Sequence, residues 1–183
     1  MRQVVFATML LALANPAFAE EKKAAGLTDP QIAAIVVVAN QVDIDAGNVA
    51  VKKTTNPEVK KLAERMVTDH TGVNKAAGEL VGKLGVTPEP TDASRGLESN
   101  GKAARGKLEA LSGPEFDKAY VDGEVAYHEA VIGVLDKQLV PSAKNAELKK
   151  MLVDVRPAFI AHLDHAKQVQ KALAGGKPEH TAH

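Results

Sequence analysis

Three stretches of the chain carry a histidine where an amphipathic helix wants another apolar side chain. The row Val59, Leu62, Met66, His70, Val73, Ala77 advances in steps of three and four, the spacing of one helix face. Val121, Val125, His128, Ile132, Leu135 repeats the pattern, and so does Val155, Phe159, His162, Ala166, Val169. An imidazole in such a row is a titratable, metal-ligating group set among hydrocarbon. Further polar groups share these faces. His165 follows His162 by three residues, Glu124 precedes His128 by four, Asp69 adjoins His70, and Asp43 sits at the edge of an apolar row upstream. An imidazole-rich, carboxylate-poor set of this kind suits zinc, copper or nickel. The candidate ligands are His70, Glu124, His128, His162 and His165, with Asp69 as a ligand or the partner of one.

The elements that would bring these residues together are marked by turn signals. Asp29-Pro30-Gln31, Asn56-Pro57-Glu58 and Gly113-Pro114-Glu115 each read as a capping or permissive residue, proline at the first helical position, then a polar acceptor. Stops fall at Gly85, around Val140-Pro141 and at Gly175-Gly176. Long helices are therefore predicted near 29–54, 57–85, 114–139 and 145–173. A weaker one near 93–111 carries Gly96, Gly101 and Gly106. No segment alternates with the two-residue period of a half-buried strand. The short Thr54-Thr55 connection forces an antiparallel hairpin, and the fold class is all-α, an up-and-down antiparallel bundle of four long helices plus one weaker helix. In that arrangement His70 lies 13 residues from Pro57, His128 lies 14 from Pro114, and His162 lies 11 from Leu173. At about 1.5 Å per residue the three depths agree to within one turn, roughly 5 Å. Asp43, counted back from Thr54, falls at a similar height. Pro157 cannot donate to the carbonyl of Val153 and is expected to kink or split the last helix.

Composition bounds the rest. Lysine plus arginine and aspartate plus glutamate number 23 each in 183 residues, so no global field favours nucleic acid. The basic doublets Lys52-Lys53, Lys60-Lys61 and Lys149-Lys150 are scattered among acids and read as solvated helix faces. Cysteine is absent, which excludes disulfides and thiolate sites. Arg2, the apolar run Val4 to Ala14 and Ala17-Phe18-Ala19 form a secretory signal peptide over residues 1–19, with a run too short to remain as a membrane span. The expected mature protein is periplasmic, with a bundle domain over 20–174 and a flexible tail over 175–183 that holds His180 and His183.

The segments "DAGNVAVKKTTNPEVKKLAERMVTDHTGVNK", "EFDKAYVDGEVAYHEAVIGVLD" and "VRPAFIAHLDHAKQVQKALA" closely resemble a group of exported bacterial proteins catalogued as domain of unknown function 4142, placed in the ferritin-like superfamily. The resemblance covers nearly all of the mature chain and includes His70, His128, His162 and His165. It implies a ferritin-like helical bundle in the periplasm and no established activity. Di-iron bundles of that superfamily use Glu-x-x-His on two helices. That motif occurs nowhere here; Glu124-x-x-x-His128 and His162-x-x-His165 are the nearest forms, so ferroxidase activity and iron storage are not expected. There is no phosphate-binding glycine loop, no Gly-x-Ser-x-Gly elbow and no thiol nucleophile, and an enzyme is not expected.

Two readings of the histidines follow. In one they hold a metal ion inside the bundle. In the other the protein is a non-catalytic envelope component whose buried rings form a metal-free hydrogen-bond network, with Tyr120 and Tyr127 as available partners, Asp69 paired to Arg65 and Glu124 in solvent.

Overall fold

A computed structural model describes residues 26–175. The expected signal peptide with its expected cleavage site, and the tail histidines His180 and His183, lie outside them. The helices are α1 (Asp29–Lys53), α2 (Pro57–Lys83), α3 (Asp92–Ala110), α4 (Gly113–Val134), a π turn (Leu135–Leu139), a one-turn α5 (Val140–Ser142) and α6 (Ala146–Gly175). Among the described residues there is no strand. The fold is a ferritin-like up-and-down antiparallel bundle.

Polar contacts at the helix ends give the directions. Both carboxylate oxygens of Asp29, at the start of α1, accept from the backbone N–H groups of Lys144 and Asn145 at 2.8 and 2.9 Å, just before α6. Lys83 at the end of α2 pairs with Glu147 at 2.6 Å, so α1 begins, α2 ends and α6 begins at one end of the molecule. At the other end Thr54 Oγ1, after α1, donates to Asp117 Oδ1 near the start of α4. Around the bundle axis the order is α1, α2, α6, α4, each packed on the next and α4 closing on α1, with α3 laid along the outside of α1.

Two of the three proline-marked starts shift by one residue. Thr28 caps α1 in a reciprocal capping box with Gln31, and Ser112 is the cap position of α4, while Asn56 caps α2 as predicted. Asp29 is thus released to hold the α6 end. The stop expected around Val140-Pro141 falls just after it, at Ser142. The helix first widens into the π turn, where Val140 N–H donates to Leu135 O, and carries Pro141 through to Ser142. Pro157 does not split α6, which runs unbroken from Ala146 to Gly175.

The core falls into two apolar halves. One is built around Leu62, Met66, Phe116, Tyr120 and Val121 at the end where α2 and α4 begin. The other surrounds Ile32, Leu135, Leu148, Leu152 and Phe159 at the far end. Between them lies a buried polar layer: Asn40, Asp43, His70, Glu124, His128 and His162, each at most 4% exposed. Two close helix approaches flank this layer. A Cβ on Gly47 would stand 2.8 Å from Val67 Cγ2 on α2, and one on Gly101 of α3 would stand 2.6 Å from Val42 Cγ2 on α1. Gly101, a warning against a helix in the sequence, is what lets α3 lie down on α1.

Candidate metal centre

Each imidazole of the polar layer has one nitrogen committed to an acceptor, and this settles its tautomer. Asn40 donates its amide to Val36 O at 2.8 Å, so its Oδ1 faces His70 Nδ1 at 2.7 Å and accepts a hydrogen bond from it. His128 Nδ1 meets the backbone carbonyl of Glu124 at 3.1 Å, also an obligatory acceptor. His162 Nε2 meets Asp69 Oδ2 at 2.8 Å, and the same carboxylate takes Arg65 Nε at 3.4 Å. In the neutral rings the lone pairs are therefore on His70 Nε2, His128 Nε2 and His162 Nδ1. These three atoms are buried and have no hydrogen-bond partner.

The rings stand in a nearly equilateral triangle, with centroids 5.5 Å apart for His70–His128, 5.2 Å for His70–His162 and 5.4 Å for His128–His162. Each offers a nitrogen within 4.8 Å of those of the other two. Phe159 stacks on His70 at 5.2 Å and 20°, fixing that ring from the far apolar half. Asp43 stands against two of the three rings. Its Oδ2 is 3.2 Å from His70 Nε2 and 3.7 Å from His128 Nε2. Donors about 2.0–2.1 Å from a tetrahedral ion lie about 3.3–3.4 Å from one another. The Asp43 oxygen is near that spacing from His70 and His128, and the nitrogens grouped across the three rings lie within about 1.5 Å of it. Glu124 forms a second grouping with Asp43 and His128, its Oε2 3.5 Å from His128 Nδ1 and without a hydrogen-bond partner.

Burial sets the charges. It lowers His70 to about 3 and His128 to about 4, and lowers His162 in spite of its bond to Asp69. Asp43 is pushed up to about 7 by burial. Glu124 is raised well above the usual carboxylate range, first by burial and then by the Asp43 charge. Asp69 is the exception: burial raises it, but the bonds from His162 and Arg65 outweigh that and hold it low. Three neutral rings beside two carboxylates that resist ionising together form a site that a divalent cation would neutralise.

The sequence candidates separate here. His70, His128 and His162 meet at one depth, and Glu124 is buried beside them, outside the solvent where the metal-free reading put it. His165 does not join them. It is half-buried on the outer α2–α6 seam, in a shallow depression with Lys61 and Arg65, and burial together with those cations lowers its pKa. Asp69 pairs with Arg65 as expected and also fixes His162. Neither tyrosine hydroxyl bonds a histidine. Tyr127 donates to Ala39 O at 2.8 Å, and the Tyr120 hydroxyl makes no hydrogen bond of ordinary geometry, although the Glu124 carboxylate is near enough to help burial raise its pKa. Asn40 was missed. Its one signal is an amide ending the apolar run Ile35–Ala39.

The family model described as Domain of unknown function (DUF4142) matches residues 13–169. The chain belongs to that family. No curated protein matches it. Among solved structures, this DUF4142 bundle is similar to a crystal structure of a DUF305 fragment from Deinococcus radiodurans, at 11% identity over 80% of this chain and 99% of that one, with a TM-score of 0.67. It is also similar to CopM in the Cu(II)-bound form, at 20% identity over 80% of this chain and 98% of that one, with a TM-score of 0.62. At these identities the likeness is one of fold.

Proposed function

We propose that this DUF4142 bundle is an exported protein that holds one divalent transition-metal ion, zinc, copper or nickel, at His70, His128, His162 and Asp43. The observation that carries this reading is the trio of bare lone pairs, on rings whose other nitrogens are tied to Asn40, the Glu124 carbonyl and Asp69. Metal-ligating histidines are oriented in this way, by an acceptor on the nitrogen that does not bind. Four protein donors would fill a tetrahedral shell and leave no position for a substrate, which supports holding the ion over catalysis on it. The fold shared with CopM, solved in a Cu(II)-bound form, supports copper among the candidates. The signal-like residues 1–19 support a periplasmic setting.

The competing reading, a metal-free network, needs a donor for each lone pair. Asp43, with a pKa of about 7, brings one proton within reach of two of them, so at least two stay unpaired, each costing about 1–3 kcal/mol.

Elemental analysis of the purified mature protein, followed by titration of chelator-stripped protein with zinc and with copper, tests the proposal. We expect one equivalent bound and, at free metal about a hundred times the dissociation constant, a rise in melting temperature of about 5–10 °C. The His70→Ala/His128→Ala double variant should show neither. Identical melting curves with chelator and with metal would leave only the network.

A further inference from the structure

Resting on the metal reading above, we propose that the ion reaches the centre beneath α3, with the Glu124 and Asp43 carboxylates receiving it before it settles among the imidazoles. A cleft of about 90 Å³ runs between α1, α3 and α4, with Val42, Gly101 and Arg105 toward its mouth and Asp43, Tyr120 and Glu124 on its inner side. Toward either end of the bundle the centre is sealed by an apolar half of the core. Beside His70 there is only a hydrocarbon-lined space of about 30 Å³, bounded by residues such as Val73, Leu135 and Phe159. On the α2–α6 side His162 is fully covered, its Nε2 is held by Asp69, and the depression outside sets Lys61 and Arg65 against Asp164, with Arg65 engaged by Asp69, so it offers a cation no net attraction.

At the mouth beneath α3 carboxylates outnumber the guanidinium they flank. Arg105 there is engaged by Asp45 at 2.8 Å and Glu109 at 3.6 Å, two carboxylates to one guanidinium. The cover is also the least buried of the long helices, with Ser94 its one buried residue. Inside, Glu124 Oε2 and both oxygens of Asp43 are buried without hydrogen-bond partners, so acceptor oxygens line the way to the rings. Gly123 lines the same cleft, and a Cβ there would meet nothing within 4 Å. A side chain can therefore be added to that lining with no clash at its Cβ.

Uptake of cobalt(II) by the chelator-stripped mature protein, followed by stopped-flow absorption, reads the route. We expect Gly123→Leu, which adds bulk to the cleft lining, and Glu124→Gln, which removes the receiving carboxylate, each to slow uptake at least about tenfold. Both should still reach one equivalent. Lys61→Ala, on the far seam, should load at the wild-type rate. Wild-type rates in both cleft variants, or faster loading in Lys61→Ala, would overturn the route while leaving the centre intact. A Glu124→Gln protein that stops short of one equivalent would make Glu124 a resident ligand and overturn its role as receiver. Wild-type protein that takes up neither cobalt nor zinc nor copper would remove the metal reading, and the route with it.

Discussion

Asn40 shows how one side chain decides what its neighbour can do. Its amide is spent on Val36 O, so its oxygen fixes the His70 proton on Nδ1 and bares Nε2 toward Asp43. Asn40→Ala should therefore weaken metal binding about 10- to 100-fold in a competition titration while the bundle stays folded. Unchanged affinity would mean that His70 is not a ligand. The histidines themselves were legible because α2, α4 and α6 each expose one face, so an apolar row stands out and an imidazole within it is conspicuous. Asn40 and Asp43 were harder to read. Helix α1 packs against α2, α3 and α4, so it is apolar around much of its girth, and a polar residue there interrupts no single stripe. It is also the one described helix long and apolar enough to span a bilayer by composition, although it lies within the bundle. His165 was misplaced for a geometric reason. A step of three residues rotates a side chain by roughly 60° from its neighbour's direction, enough here to move it from the axis to the seam.

At the scale of elements, glycine carries opposite meanings in one helix. Gly101 is required by the approach to Val42, whereas Cβ atoms on Gly96 and Gly106 would meet nothing within 4 Å. Gly96→Ala and Gly106→Ala should each stabilise the protein by about 0.5–1 kcal/mol in urea unfolding, because they restore helix propensity without a clash. Gly47→Ala should do the reverse, losing about 1–3 kcal/mol against Val67 and the Ala63 carbonyl. If all three shift stability in the same direction, the packing described for α1, α2 and α3 is wrong. Helix existence and order were readable from periodicity and turn residues. The π turn was not, because Pro141 reads as a stop unless the preceding turn can widen, and tertiary packing of Leu135 and Leu139 into the core decides that.

For the whole molecule, the polar layer makes the metal-free protein sensitive to pH in both directions. The ring pKa values are depressed, His70 to about 3 and His128 to about 4, so the folded state binds fewer protons than the unfolded chain up to about pH 6.5. Their contribution is complete above that pH and is lost as the pH falls. Asp43 and Glu124 are raised, so their contribution is present at low pH and fades as the pH climbs through about 7 for Asp43 and higher for Glu124. Three rings outweigh two acids on the acid side, and only the acids act on the alkaline side. Melting temperatures measured with chelator between pH 5 and 9 should peak near pH 6.5, and a steady rise to pH 9 would contradict the buried state of both acids. The layer has another effect, on alignment. Hydrocarbon slides over hydrocarbon at little cost, and a bundle of leucines tolerates several staggers of its rods. Here, slipping any one rod by a turn would press an imidazole into greasy side chains and strip it of its mate. Replacing Asp43, His70, Glu124, His128 and His162 together with apolar residues of similar volume should give a protein that melts later yet loses its single set of sharp resonances. The inner polar girdle thus works as a detent that selects one stacking from many.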